Sequence, residues 1–86
     1  MTDRTWDRGV DLELHGTGKY RTVRSTEDAA RSLTERWPVG EGRAFKTAVK
    51  ACIDALEDTT SRIRQERARA AFIDAAHEAG IYVRRH

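Results

Sequence analysis

Four consecutive residues near the amino terminus, Gly16-Thr17-Gly18-Lys19, have the composition of a phosphate-binding loop. A P-loop needs the longer spacing G-x-x-x-x-G-K-[ST] and must lead directly into a helix, so that backbone amides converge on the phosphate. Here Tyr20 follows the lysine and a strand pattern comes next. We therefore predict a plain hairpin turn of about 3 to 5 residues rather than a nucleotide site.

Side chains that could bind a soft metal or act as a nucleophile are few and widely spaced. They are His15, Cys52, His77 and His86, and no pair among them has the spacing of a zinc site. Cys52 falls on the apolar face of a predicted helix, where a free cysteine packs as a small hydrophobe. No serine or cysteine can be assigned both a base and an orienting group. We predict no metal, no cofactor and no catalytic residues, hence a protein that is not an enzyme.

The basic residues around the start of the last predicted helix are the sharpest candidates for a binding role. The set is Lys46, Lys50, Arg62, Arg64, Arg67 and Arg69. Such side chains could contact phosphates or a partner. However, Glu66 interrupts the arginines, no aromatic residue interleaves with them, and no helix-turn-helix spacing is present. The favoured interpretation is that these side chains form a solvated face or interact with the acidic end of the preceding helix. Nucleic-acid contact is the alternative.

Length and composition predict one small domain spanning residues 1 to 86. The chain is 38% apolar and 35% charged, and 16 basic residues against 14 acidic ones give a net charge of +2. This surplus is too small to indicate a nucleic-acid binder by itself. No apolar run approaches the roughly 18 residues of a membrane span, and the first residues lack the apolar core of a signal peptide. Together with the single cysteine, these features predict a cytoplasmic protein without membrane association.

The first third of the chain predicts a β-hairpin. Apolar Val10, Leu12 and Leu14 alternate with Asp11, Glu13 and His15, which is the period of a strand with one buried and one solvated face. Trp6 precedes this strand and is expected to fold back onto an edge of the core. Residues 19–24 form the returning strand, with a bulge or an early exit near Val23.

A helix is predicted to start at once after the hairpin. Ser25 is a suitable N-cap, and Asp28 three residues later resembles a capping box. Leu33 and Trp37 fall on its apolar face, and Pro38 ends the run.

Two further helices and a short strand complete the predicted order. The second helix, residues 43–57, carries an apolar stripe of Phe45, Ala48, Val49, Cys52, Ile53 and Leu56 that should face the core. The third, residues 62–79, starts after a cap among Thr59, Thr60 and Ser61 and ends at Gly80. Its inward residues are Ala68, Phe72, Ala75, Ala76 and Ala79. Residues 81–84 then form a strand that joins the hairpin.

The motifs that these elements carry resemble those of a known family. They are the leading Trp6, the strand VDLEL, the segment GTGKYRTVRSTEDAARSLTERWP and the closing AFIDAAHEAGI. Together they are similar, over almost the whole chain, to the Domain of Unknown Function 982, a family of small alphaproteobacterial proteins. The resemblance implies a compact single domain with no established activity, substrate or cofactor. It supplies no catalytic residues.

The sequence therefore predicts an α+β domain of order ββαααβ, in which helices cover one face of a small antiparallel sheet. Such a small sheet leaves two edges and a second face open, and a chain of this size often completes its core through a partner. The leading functional hypothesis is a non-catalytic interaction module that self-associates, for example as a homodimer. Nucleic-acid association through the basic residues named above is the alternative.

Overall fold

The structure is a computed structural model that describes residues 5–13, 20–35, 37–38 and 40–85. The described residues form three strands and three helices in the predicted order ββαααβ. These are β1 (Thr5–Leu12), β2 (Arg21–Ser25), α1 (Thr26–Glu35), α2 (Arg43–Glu57), α3 (Arg62–Glu78) and β3 (Val83–Arg85). The predictions for Leu14, His15, the turn at 16–18, Lys19 and His86 lie outside the described residues.

One antiparallel sheet holds the three strands in the order β2-β1-β3, so β1 is central. The α+β prediction is confirmed, including the return of the last strand to the hairpin. Strand β1 differs from its predicted bounds, because it begins at Thr5 and contains Trp6 rather than following it. Its register with β2 shifts between Thr5 and Val10, next to the pair Val10 and Val23. The irregularity is therefore in β1, where the alternation is broken before Val10, and the sequence predicted it on β2.

Helix α1 begins where the sequence predicted. The backbone N–H of Asp28 donates to the Ser25 hydroxyl at 3.1 Å, so Ser25 is the N-cap. Ser61 does the same for α3, because its hydroxyl accepts from the N–H of Arg64 at 3.3 Å. Gly80 ends α3 with φ +75°, and the N–H of Ile81 then reaches the carbonyl of Ala76 at 2.9 Å.

The predicted apolar stripe of α2 is wider than the part that reaches the core. Ile53 and Leu56 were expected to face inward, but they are 56% and 38% exposed. The fully buried residues of α2 are Ala48, Cys52 and Ala55. These small side chains pack α2 closely against the alanine-rich α3, and the larger aliphatic residues are left at the margin of the contact. The expectation for Ile53 and Leu56 was therefore wrong.

Three aromatic rings from distant parts of the chain pack together, with Phe72 inside the core and Trp37 half-buried at its margin. Phe72 of α3 is fully buried, with its ring centroid 5.9 Å from Trp6 and 5.3 Å from Trp37. Both ring pairs are tilted, an arrangement that adds to the burial of apolar surface. Trp6 thus packs on the core as predicted, and Trp37 anchors the segment that follows α1.

The N-terminus of α2 is held by a carboxylate from the C-terminal end of α3. Gly42 caps α2 with φ +116°, and the N–H of Phe45 donates to Glu78 Oε2 at 3.1 Å. The carboxylate lies so close that a Cβ built on Gly42 would be 2.6 Å from the same oxygen. The backbone conformation therefore requires glycine here, and any Cβ would also have to displace the Glu78 carboxylate.

Gly42→Ala is expected to lower the free energy of unfolding by about 1–3 kcal/mol, because it adds backbone strain and displaces the Glu78 carboxylate. Gly40→Ala is the matched control, since a Cβ at Gly40 meets nothing within 4 Å. Urea denaturation followed by circular dichroism would measure both variants. Equal stability of the two would contradict the assignment of Gly42 as a required glycine.

Candidate functional site

The sheet has one face turned to the helices and one turned away from them. Val10, Leu12 and Val23 are fully buried on the helix side and belong to the core. Residues of opposite parity lie on the other side, which we call the open face. The open face comprises Gly9, Asp11, Glu13, Tyr20, Thr22, Arg24, Tyr82 and Arg84.

Asp11 lies at the centre of the open face and is only 5% exposed. Its strand partners are Thr22 on β2 and Arg84 on β3, so the three residues form one row across the sheet. The Thr22 hydroxyl donates to Asp11 Oδ1 at 2.6 Å, and Arg84 Nη2 donates to Asp11 Oδ2 at 3.2 Å. Alternation predicted Asp11 on a solvated face. The predicted face of the strand is correct, but the predicted exposure to solvent is wrong, because the neighbouring side chains cover the carboxylate.

A second row carries the aromatic residues. The N–H of Glu13 donates to the carbonyl of Tyr82 at 3.0 Å, which extends the sheet by one pair. The rings of Tyr20 and Tyr82 approach edge to face at 6.4 Å between centroids, above the backbone of β1. The Arg84 guanidinium lies over the Tyr20 ring, 4.7 Å from its centroid. Both rings remain accessible, with Tyr20 39% and Tyr82 60% exposed.

The local electrostatics of this row act on the Tyr20 hydroxyl. Desolvation, followed by a hydrogen bond to the Glu13 carboxylate, raises the pKa of Tyr20 above its ordinary value. Both oxygens of Asp11 accept hydrogen bonds from neighbouring side chains. The open face thus combines accessible aromatic surface with a buried carboxylate that is already paired inside the fold.

A comparison with protein families assigns the chain to one of them. The family described as "Protein of unknown function (DUF982)" matches residues 8–83. The chain belongs to this family. The matched range runs from within β1 to the first residue of β3, so it includes all three helices and every residue of the open face except Arg84. No curated protein and no solved structure matches the chain.

The basic residues singled out from the sequence do not converge in this DUF982 domain. Arg64 Nη1 donates to the carbonyl of Asp54 at 3.2 Å and lies 4.0 Å from its carboxylate. Arg64 therefore binds the acidic C-terminal end of α2. Arg69 Nε instead donates to the carbonyl of Arg8 in β1 at 3.1 Å. The two side chains thus reach different elements, one helix and one strand.

The other members of that set lie at the surface. Arg62 Nε is 3.6 Å from Glu66 Oε1, a pair one helical turn apart. Arg67, Lys46 and Lys50 are exposed. A role for any of the six in nucleic-acid or partner contact stays a prediction.

Cys52 lies in the hydrophobic core, and His77 lies on the surface. Cys52 is fully buried, and this desolvation raises the pKa of its thiol to about 11. The thiol is therefore protonated at neutral pH. His77 is exposed on α3. Within the described ranges, no three His, Cys, Asp or Glu side chains meet in a geometry that could hold a metal ion. Nor is any helix of the described chain long and apolar enough to cross a membrane.

A shallow groove of about 280 Å³ lies between α2 and α3. Its polar lining comes from Arg43, Thr47, Asp74 and Glu78. Glu78 is already used by the N–H of Phe45, as described for the start of α2. One of the polar side chains that line the groove therefore already has a structural role in capping α2.

Sequence reasoning did not single out the residues of the open face. Each of them, taken alone, is a residue type that is common in strands or turns. The signal that could have found them is positional, since Thr22, Asp11 and Arg84 become neighbours only when the register of all three strands is known. Tyr20 and Tyr82 are 62 positions apart and meet for the same reason.

Proposed function

We propose that this DUF982 domain is a non-catalytic protein-interaction module that associates with a second copy of itself. The observation that carries the proposal is the open face, where Tyr20 and Tyr82 remain accessible around a buried, paired carboxylate. Aromatic residues and arginine are the side chains most enriched in protein interfaces. The two outer strands, β2 and β3, add sheet edges on either side of this face.

The mass of the protein in solution tests the proposal. Sedimentation velocity on the full chain, over about 1 to about 500 µM, covers the range in which weak dimers form. We expect the weight-average mass to rise from the 9.8 kDa monomer toward twice that value as concentration increases. A mass that stays at 9.8 kDa over the whole range would refute self-association.

Nucleic-acid association is the second candidate. It is favoured by three exposed cationic side chains on the helices, Arg67, Lys46 and Lys50. It ranks below self-association because Arg64 and Arg69 are occupied by backbone carbonyls of different elements. The cytoplasmic location and the alphaproteobacterial origin remain predictions from the sequence.

A further inference from the structure

We infer that two copies of the domain exchange strand β3. In the exchanged dimer, β3 of each copy pairs with β1 of the other, and each Arg84 binds Asp11 of the other copy. The inference rests on the proposed self-association and names the segment that carries it.

The contacts that hold β3 can be made equally well between two chains. Its residues pair with Val10, Asp11 and Leu12 of β1. Arg84 Nη2 donates to Asp11 Oδ2 at 3.2 Å, and the guanidinium lies over the Tyr20 ring. These partners all precede α1 in the sequence, so the site for β3 is built by a separate part of the chain. A β3 from a second copy would meet the same site, which is the condition for an exchange of identical elements.

The buried carboxylate of Asp11 makes this site specific for β3. Asp11 is 5% exposed, and the loss of one member of a buried ion pair is strongly unfavourable. A copy that releases its own β3 loses the Arg84 guanidinium from this carboxylate and opens an edge of its central strand. Its own β3 restores both at low protein concentration, and β3 of a second copy restores both at high concentration.

The connection between α3 and β3 contains a residue that can act as a hinge. Gly80 ends α3 with φ +75°, and the chain then returns to β1 over two residues, Ile81 and Tyr82. A glycine takes the opposite sign of φ at little steric cost, and a Cβ at Gly80 would meet nothing within 4 Å. With φ in the helical range, the segment after α3 takes a different direction and no longer returns to its own β1. Short hinge connections favour exchange between copies.

Strand β3 can be released with less disruption than β2. It has three residues, of which Val83 is half-buried and Arg84 is exposed. Strand β2 has five residues, includes the fully buried Val23 and leads directly into α1 through the Ser25 cap. Elements with few buried contacts open at the lowest free energy. The buried Ile81 would move with β3 and take the equivalent place in the second copy.

A reversed ion pair tests the exchange. Asp11→Arg and Arg84→Asp each place like charges on β1 and β3, so each variant alone should self-associate about tenfold more weakly than wild type, or weaker still. In an exchanged dimer with one copy of each variant, the native Arg84 meets the native Asp11, and the two introduced residues meet each other. An equimolar mixture should therefore associate about as tightly as wild type in sedimentation velocity. Without exchange, each copy keeps its own like charges and mixing changes nothing.

The double variant Asp11→Arg/Arg84→Asp is the control for the reversed pair. It places opposite charges on β1 and β3 of every chain, so its self-association should be close to that of wild type without mixing. Circular dichroism of each variant would establish that it is folded.

A pair of cysteines tests the same exchange with changes at the surface. Glu13 and Tyr82 lie opposite each other where β1 and β3 continue, since the N–H of Glu13 donates to the carbonyl of Tyr82. A Glu13→Cys chain and a Tyr82→Cys chain would be mixed at low concentration, concentrated and oxidised with glutathione disulfide. A disulfide-linked dimer of twice 9.8 kDa is expected on a non-reducing gel. Arg31→Cys mixed with Tyr82→Cys is the matched control, because Arg31 is exposed on α1, outside the sheet.

The outcomes separate the inference from the function on which it rests. A wild-type chain that stays monomeric refutes both. If wild type dimerises, a Glu13→Cys and Tyr82→Cys mixture with no more disulfide than the Arg31→Cys control refutes the exchange, while self-association stands. Folded charge variants whose mixture associates no more tightly than either alone refute it in the same way. If Asp11→Arg does not fold, the cysteine pair decides alone.

Discussion

Phe72→Ala is expected to lower the free energy of unfolding by about 3–5 kcal/mol, the usual cost of removing a fully buried phenylalanine. The ring is completely inaccessible and contacts both tryptophans, so its loss opens a cavity at the point where β1, α3 and the segment after α1 meet. No neighbouring helix can fill this space without moving, because α2 and α3 already pack through small residues.

The size of this effect matters because the domain is small. For 86 residues, a total stability of roughly 4–13 kcal/mol is typical. Phe72→Ala would therefore remove a large part of it and could leave the chain unfolded at 25 °C. Phe72→Leu is the second variant, since it keeps apolar volume and should cost less than the alanine change.

Urea denaturation followed by tryptophan fluorescence is the appropriate measurement, because both Trp6 and Trp37 contact Phe72. Ile63→Ala on the same helix is the control, since Ile63 is exposed and the change should stay within about 0.5 kcal/mol of wild type. A Phe72→Ala variant as stable as Ile63→Ala would show that Phe72 and its contacts with the two tryptophans do not support the core.

The helical half of this fold could be predicted because its signals are local. Ser25 and Ser61 cap the helices that follow them, and Gly80 ends α3; each of these roles depends on hydrogen bonds to backbone groups a few residues away. The bounds of α2 follow in the same way from a clear helical period. Phe72 could be placed in the core from period alone, although its two aromatic partners could not.

The remaining features could not be predicted, because they depend on how distant segments pack. Periodicity assigns Ile53 to the apolar face of α2, but the helix packs through Ala48, Cys52 and Ala55 and leaves the Ile53 side chain largely in solvent. Strand β1 starts earlier than expected, since pairing with Ser25 stabilises residues whose own pattern is irregular. The environment of Asp11 required the register of all three strands.

The same limit applies to the candidate site. Arginines attract notice in a sequence because four fall within eight positions, yet Arg64 and Arg69 are bound to separate parts of the fold. The residues of the open face are not conspicuous in the sequence, because they come from three strands at both ends of the chain. A functional surface assembled from long-range pairs therefore has no local sequence signal. A run of arginines that bind separate parts of the fold, in contrast, has the sequence pattern of a binding site.

A chain of hydrogen bonds, buried at Trp6 and half-buried at Gln65, joins β1 to the three helices by way of the Thr26 hydroxyl. The indole N–H of Trp6 in β1 donates to Thr26 Oγ1 at 3.1 Å, and this hydroxyl in turn donates to Gln65 Oε1 of α3. The amide of Gln65 then donates to the carbonyl of Ala55 in α2 at 2.9 Å. Thr26 is the first residue of α1 and is almost completely buried. Thr26 and Gln65 together thus link β1 with the three helices.

Thr26→Val keeps the shape of this side chain and removes the hydroxyl. It leaves the Trp6 N–H without an acceptor and Gln65 Oε1 without a donor, and each unsatisfied buried group costs about 1–3 kcal/mol. We therefore expect a loss of roughly 2–4 kcal/mol in the free energy of unfolding. Thr26→Ser retains the hydroxyl and should recover most of this loss. Urea denaturation followed by tryptophan fluorescence would measure both.

Thr34→Val is the matched control, because Thr34 is an exposed residue of the same helix and its hydroxyl bonds to carbonyls of α1 itself. A double-mutant cycle with Gln65→Leu would show whether the two residues act together. Because Thr26→Val already breaks the contact, the second change should cost less than it does in the wild-type background. Additive effects, or a Thr26→Val variant no less stable than Thr34→Val, would show that the hydroxyl is not the link between the layers.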